Sequence, residues 1–196
     1  MVQKSRGRPR QFDEQAALAQ AVRVFWARGF DAVTVDDLVA SMAVGRPSLY
    51  AVFGDKAALF LRCLEAYGAQ LGAGAAVALQ APTAHDAIAA LLRYSVDHAT
   101  RPDAPLGCLI ACVAPLVDDD RVRDFVARAS IATHAAVEKR IRTGVAAGEL
   151  PTGFPVAKRT RVALDLSRGL VMRARMGAPR AELLRDAAEA AALVVS

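Results

Sequence analysis

The chain has 196 residues, 54% of them apolar and only 6% aromatic, with 25 basic side chains against 20 acidic ones and a net charge of +5. That is ample material for the core of one or two domains, and a composition rich in Ala and Leu favours close-packed helices over a β-sandwich or barrel. Three cysteines make no disulfide framework, and the longest uncharged stretch, from Ala66 to His85, contains Gln70, Gln80 and Pro82 and is too poor in apolar side chains to span a membrane.

In chain order, charge is the first feature. Residues 1–10 hold four bases and no acid, whereas residues 11–56 hold four bases and six acids. A basic arm on a nearly balanced body points to a polyanion met by the arm. No apolar signal-peptide core follows these bases, so the expected location is the cytoplasm, with no membrane partner. Arg6-Gly7-Arg8-Pro9-Arg10 is kept extended by its glycine and proline and is similar to the core of the AT-hook motif. A thin arm carrying Arg6, Arg8 and Arg10 suits the narrow minor groove of A·T-rich DNA.

Asp13 is a good N-cap for a first helix, with Leu18, Ala21, Val22 and Phe25 on one face and Gly29 as its stop. Thr34 and Asp37 have capping-box spacing for a second helix, stapled by Val33 and Leu38, with Val35, Leu38, Val39 and Met42 as its stripe. After the break Ala43-Val44-Gly45, a third helix runs from Arg46 to Phe53 with Pro47 in its first turn. Leu49 and Phe53 anchor it inward and leave Arg46, Ser48 and Tyr50 free. Two short helices around a tight turn, braced by a preceding helix, describe a helix-turn-helix over about residues 34–53. A corner of an ordinary helical bundle has the same spacing.

Phe30 to Leu38, then Val44-Gly45-Arg46-Pro47-Ser48-Leu49-Tyr50, then Phe53-Gly54-Asp55-Lys56-Ala57-Ala58-Leu59-Phe60 together resemble the DNA-binding domain of the TetR family of bacterial repressors. Ala43 stands where that family usually has glycine, and Ala51 and Val52 replace its usual aromatic or histidine. The resemblance implies an all-α protein of about nine helices. A basic arm (1–10) and a three-helix DNA-binding domain (11–55) would precede a larger ligand-binding and dimerisation domain (56–196). It also implies that Thr34 and Lys56 contact phosphates and that Tyr50 packs on the DNA backbone. Arg46 and Ser48 are then the candidates for base contact, Arg46 toward the two acceptors of guanine, with Pro47 between them among the DNA-binding residues. The implied partners are double-stranded DNA, a second copy of the chain and a small-molecule effector, with no cofactor.

The remaining residues read as helix after helix. Phe60, Cys63, Leu64, Tyr67 and Leu71 share a face of a fourth helix whose far end Gly72 and Gly74 should weaken. A fifth helix over 84–99 is followed by a stretch from Leu106 to Ala114 that is apolar on every side and predicts a central buried helix. Asp118-Asp119-Asp120 precedes a long helix to about Ala147, where capping explains three carboxylates without a metal. Helices over about 156–176 and 179–195 close the chain. In the resembled family this last pair forms a four-helix dimer interface, for which Val162, Leu166, Leu170, Leu183, Leu184, Ala187, Ala191 and Val194 supply apolar surface.

Candidate effector contacts are Tyr67, Tyr94, His98, Cys108, Cys112, His134, Arg168 and Met172: Tyr94 and the histidines as polar members of otherwise apolar faces, and Arg168 and Met172 on a face of the eighth helix that would suit an anionic effector. Cys108 and Cys112, four residues apart, are spaced too widely for a disulfide without unwinding. Cys108 admits two readings, a small core residue or a reactive thiol near a helix N-terminus, and Gly107-Cys108-Leu109 resembles the same place in some electrophile-sensing members of the family. The chain carries no local nucleophile arrangement, phosphate-cradling glycine loop or His/Glu metal motif, which disfavours an enzyme. The alternatives to an effector-released repressor are one switched by oxidation or electrophile modification of Cys108, and an architectural A·T-tract-binding protein without an effector.

Overall fold

The structure, a computed structural model, describes residues 13–196, and among these are nine α-helices, one turn of 3-10 helix and no strand. Helix α1 (Glu14–Arg28) starts where the Asp13 carboxylate accepts the Ala16 amide at 3.0 Å and stops at Gly29, φ +82°. Its buried face is Ala17, Ala21, Phe25 and Trp26, with Leu18 and Val22 only half-buried, so the helix is turned slightly from the expected stripe.

Helix α2 (Val35–Met42) carries the full capping box: Thr34 Oγ1 accepts the Asp37 amide at 3.2 Å, and the Asp37 carboxylate accepts the Thr34 amide at 2.8 Å. Arg28, bonded to Asp37 at 2.8 Å, holds that carboxyl well below the usual range. Leu38 and Met42 are buried, while Val35 and Val39 stay half-buried. The turn to α3 (Arg46–Phe53) passes through Ala43 in the left-handed conformation, φ +54°, which costs a residue with a Cβ roughly 1–2 kcal/mol.

Helix α4 (Lys56–Ala78), capped by Asp55 on the Ala58 amide at 2.6 Å, buries Leu59, Phe60, Cys63, Leu64 and Tyr67. It runs unbroken through Gly72 and Gly74, contrary to the expected weak end. Gly74 is a packing residue: the Tyr94 ring lies against it, and a Cβ there would overlap that ring. Helix α5 (Ala84–Ala99) is the centre of the larger half, packed on α4 and on three later helices.

The predicted helix over Leu106–Ala114 is corrected. Only α6 (Leu109–Cys112) forms, a single turn, followed by the 3-10 turn Ala114–Leu116. Gly107 adopts φ +85° and turns the chain out of helical geometry, and Leu106 and Leu116 are exposed. Helix α7 (Asp120–Ala146) begins with Asp119 accepting the Arg121 and Val122 amides, while Asp118 and Asp120 pair with Arg123 at 2.7 and 2.5 Å. The acidic triplet is thus fully engaged in capping and ion pairs. Helices α8 (Val156–Arg175) and α9 (Arg180–Val195) run antiparallel. Arg173 pairs with Glu182 and Asp186 at one end, and Arg159 donates to the Leu193 and Ser196 carbonyls at the other.

The two halves meet through specific contacts. Arg175, at the end of α8, donates to the carbonyls of Trp26 (3.2 Å) and Ala27 (3.4 Å) in the last turn of α1, and to Leu106 at 3.1 Å. Those α1 carbonyls have no partner within their own helix, and a cation is the favourable group at that end. Arg121 of α7 reaches Asp55 at 3.3 Å. No helix among the described residues is long and apolar enough to cross a membrane.

Candidate nucleic-acid interface

Helix α3 is held from below by Leu49 and Phe53, both essentially buried, and so presents Arg46, Pro47, Ser48 and Tyr50 outward. Tyr50 is 47% exposed. Its ring is a flat apolar surface with a polar tip, a form suited to lying along a sugar-phosphate backbone. Arg46 does not project freely: its Nε and Nη2 both donate to Asp36 Oδ1, at 3.1 and 2.6 Å, which joins the start of α3 to the first turn of α2. Sequence reasoning passed over Asp36, although acidic residues in a helix's first turn are a readable signal.

Thr34 is exposed at the N-terminus of α2, but its hydroxyl donates to Asp37 Oδ2 at 2.7 Å. Any phosphate contact at Thr34 must therefore share a group that already caps the helix. Lys56, half-buried at the start of α4, holds its ammonium 4.3 Å from the centre of the Phe30 ring, which fixes the charge in place. Arg6, Arg8 and Arg10 lie outside the described residues.

The candidate effector residues divide into groups. An open groove of about 770 Å³ lies between α4, α5 and the start of α9, lined among others by Gln70, Tyr94, Asp97, His98, Arg101 and Arg180. Tyr94 and His98 are thus brought to one site. Behind them, Tyr67 is buried, with its oxygen 2.8 Å from His98 Nε2 and accepting the Leu109 amide at 3.3 Å. The His98 ring stacks on Trp26 at 5.7 Å between centroids, and Tyr67 meets the same indole edge-on at 5.1 Å. Burial, with Arg101 acting the same way, lowers the His98 pKa to about 4, so the imidazole is neutral near pH 7. The Trp26 indole N–H is buried and has no acceptor among the described residues.

His134, Arg168 and Met172 do not belong to this site, which corrects their grouping. His134 faces Glu138 on its own helix at 3.5 Å, Arg168 is paired with Asp165 and Ser130, and Met172 is exposed. Cys112 is half-buried beside Gly107. Cys108 is 5% exposed; burial pushes its thiol up, with the Tyr67 hydroxyl pulling the other way. Cys108 caps only a one-turn helix, so the expected help from a helix N-terminus is small. Iodoacetamide at neutral pH should therefore alkylate Cys112 first, with Cys63 and Cys108 following only on unfolding. Mass spectrometry reads this directly, and prior modification of Cys108 would contradict its placement.

The apolar set proposed for a subunit interface is also corrected. Leu170, Leu183, Ala187, Ala191 and Val194 lie in the protomer's own core, where α9 packs on α5 and α8, and only Val162, Leu166 and Leu184 remain half-exposed. The outward face of α9 carries Ala181, Ala188, Ala192 and Leu193 instead, and that of α8 carries Gly169 and Met172, with Met176 just past its end. Among the described residues no group of three or more His, Cys, Asp or Glu side chains could hold a metal ion.

Comparison with known proteins accords with this geometry. Residues 17–63 match the model of the bacterial regulatory proteins of the tetR family, and residues 84–191 match a tetracyclin repressor-like C-terminal domain. The chain is 29% identical over 192 residues to the HTH-type transcriptional repressor ComR of Escherichia coli K12, covering 95% of this chain and 90% of that one. The HTH-type transcriptional repressor BdcR of the same organism is 46% identical over 61 residues, or 31% of each chain. A solved structure of a cysteine mutant of the TetR family regulator CifR, complexed with a 26-base-pair double-strand operator DNA, superposes with a TM-score of 0.87. It is 33% identical, and the match covers 94% of this chain and 98% of that one.

Proposed function

The chain belongs to the TetR family of bacterial regulatory proteins, and from that premise we propose that it acts as a homodimeric repressor, released from a palindromic operator by a small organic effector. It is a DNA-binding transcriptional regulator of a family that is not one of enzymes. The observation that carries the finer reading is α3. Its inner face is locked by Leu49 and Phe53, and its outer face offers Arg46, Ser48 and Tyr50 beside the fixed ammonium of Lys56. Residues 11–55 are the proposed DNA-binding domain, residues 56–196 the effector and dimer domain, and residues 1–10 the arm that follows the minor groove.

In this reading Arg46 and Ser48 face base edges, Pro47 starts the helix that enters the groove, and Thr34, Tyr50 and Lys56 dock on phosphates and sugars. Two copies paired through α8 and α9 place their recognition helices about one DNA turn, roughly 34 Å, apart. The half-exposed Val162, Leu166 and Leu184, with the small residues Gly169, Ala181, Ala188 and Ala192, form the surface on which two such helix pairs can approach closely. The effector site in this reading is the groove at Tyr94 and His98, with the buried Tyr67 bonded to His98 behind it.

Two measurements test this. Footprinting on the chain's own promoter DNA should protect one palindrome, whereas protection spread over any A·T tract would favour an architectural protein. Lys56→Ala should weaken binding to every sequence and lower the slope of log affinity against log salt by about one ion. An unchanged slope would remove Lys56 from the interface.

A further inference from the structure

We propose that the groove between α4, α5 and the start of α9 takes an organic carboxylate with an apolar body, held by Arg101, and that Trp26 carries its occupancy to α1. The site stands on its own chemistry; only its consequence for DNA rests on the repressor reading above.

Charge selects the ligand class. One carboxylate and two guanidinium side chains line the groove: Asp97, Arg101 and Arg180. Asp97 is already shared by two cations, Arg180 at 2.5 Å and Arg93 at 3.6 Å, so it offers little to an incoming positive group. Arg101 is less engaged. Its only ion-pair partner among the described residues is the exposed Asp103, 3.8 Å from Nε. Its guanidinium is a planar fork of donors matched to a carboxylate. His98 next to it is neutral, so the groove carries a net positive charge from arginine alone.

The walls select the body. The Tyr94 hydroxyl donates to the Leu71 carbonyl at 3.2 Å, and its ring fills the space that the missing side chain of Gly74 leaves, so the ring is a fixed apolar surface. Pro102 adds a second apolar wall. A volume of about 770 Å³ is far more than a bare inorganic anion fills.

The same two groove residues also touch the first helix. His98 stacks on Trp26 with an interplanar angle of 11°, and the Arg101 guanidinium carbon lies 5.9 Å from the Trp26 ring centre. Trp26 lies in the last turn of α1, whose carbonyls Arg175 holds. A carboxylate that draws Arg101 toward itself weakens its cation–π contact with Trp26, and so acts on the helix that braces α2 and α3.

Trp26 is the single tryptophan of the chain, so its emission reports the site without a label. The full-length protein should be titrated with benzoate, cyclohexanecarboxylate and octanoate, and with the neutral amide of each. Saturable change in Trp26 emission is expected with at least one carboxylate and with no amide, and Arg101→Met should weaken it by roughly tenfold or more. Silence from all three acids, equal response to acid and amide, or a parent-like titration by Arg101→Met would each overturn the proposal. Anisotropy of labelled promoter DNA, measured in parallel, separates this from the repressor reading. Arg101-dependent binding without DNA release supports the site and removes its effector role. DNA release by these acids that persists in Arg101→Met overturns the site and leaves the repressor reading standing.

Discussion

Phe60→Ala is expected to cost about 3–5 kcal/mol of folding stability. Phe60 is completely buried, with the Phe25 ring edge-on at 4.9 Å and the Phe30 ring at 5.2 Å. Truncation leaves a void between α1, the loop at Phe30 and α4 that their backbones cannot close, so transfer and cavity costs add. The urea midpoint should fall with little change in slope, while Phe60→Leu should keep most of the stability. The loss should reach DNA as well, since Phe30 also seats the Lys56 ammonium. A midpoint within experimental error of the parent would show that this aromatic cluster does not hold the first helix to the fourth.

The second large effect is on recognition. Arg46→Ala is expected to leave stability almost unchanged, because the ion pair with Asp36 is exposed on both sides and such pairs contribute little. On DNA it should lose about 1–3 kcal/mol of discrimination, the usual worth of a bidentate contact to guanine. The measured quantity is the ratio of affinities for the operator and for a copy with the contacted guanine replaced. Equal losses on both would assign Arg46 to the backbone. The pairing with Asp36 bears on this outcome, since it fixes where the guanidinium stands before DNA arrives and places an acceptor that must be shared or released on contact.

Much of the fold was legible because its signals are local. Asp13, the Thr34/Asp37 box, Pro47 and Asp119 each mark a helix start within four residues; Asp13, Thr34 with Asp37, and Asp119 form side-chain caps, and Pro47 takes the first turn of α3. Errors came where a distant contact decides. The apolar run around α6 reads as a helix by composition, yet Gly107 bends it, packed against Arg175 from the far end of α8. Gly74 reads as a weak point and is in fact the seat of Tyr94, twenty residues on. Apolar periodicity in α9 reports burial but not the body it is buried against, so the stripe of Leu183 and Ala187 reads equally as a partner's surface, although α5 and α8 cover it. The candidate groove was half legible. Tyr94 and His98 share a helix face and Arg101 follows three residues on, but Arg180 and the Trp26 ring behind His98 come from across the chain, with no pattern in sequence to connect them.

The left-handed Ala43 has a consequence for how the recognition helix gets its aim. An alanine does not choose that backbone conformation for itself, so the bend between α2 and α3 is imposed by Leu38, Met42, Leu49 and Phe53 closing on α1 and α4. A peptide covering residues 33–54 alone would not keep the bend. The angle at which α3 meets a groove is therefore a collective property of the hydrophobic interior, and substitutions far from any DNA contact can detune it as surely as those on the exposed face.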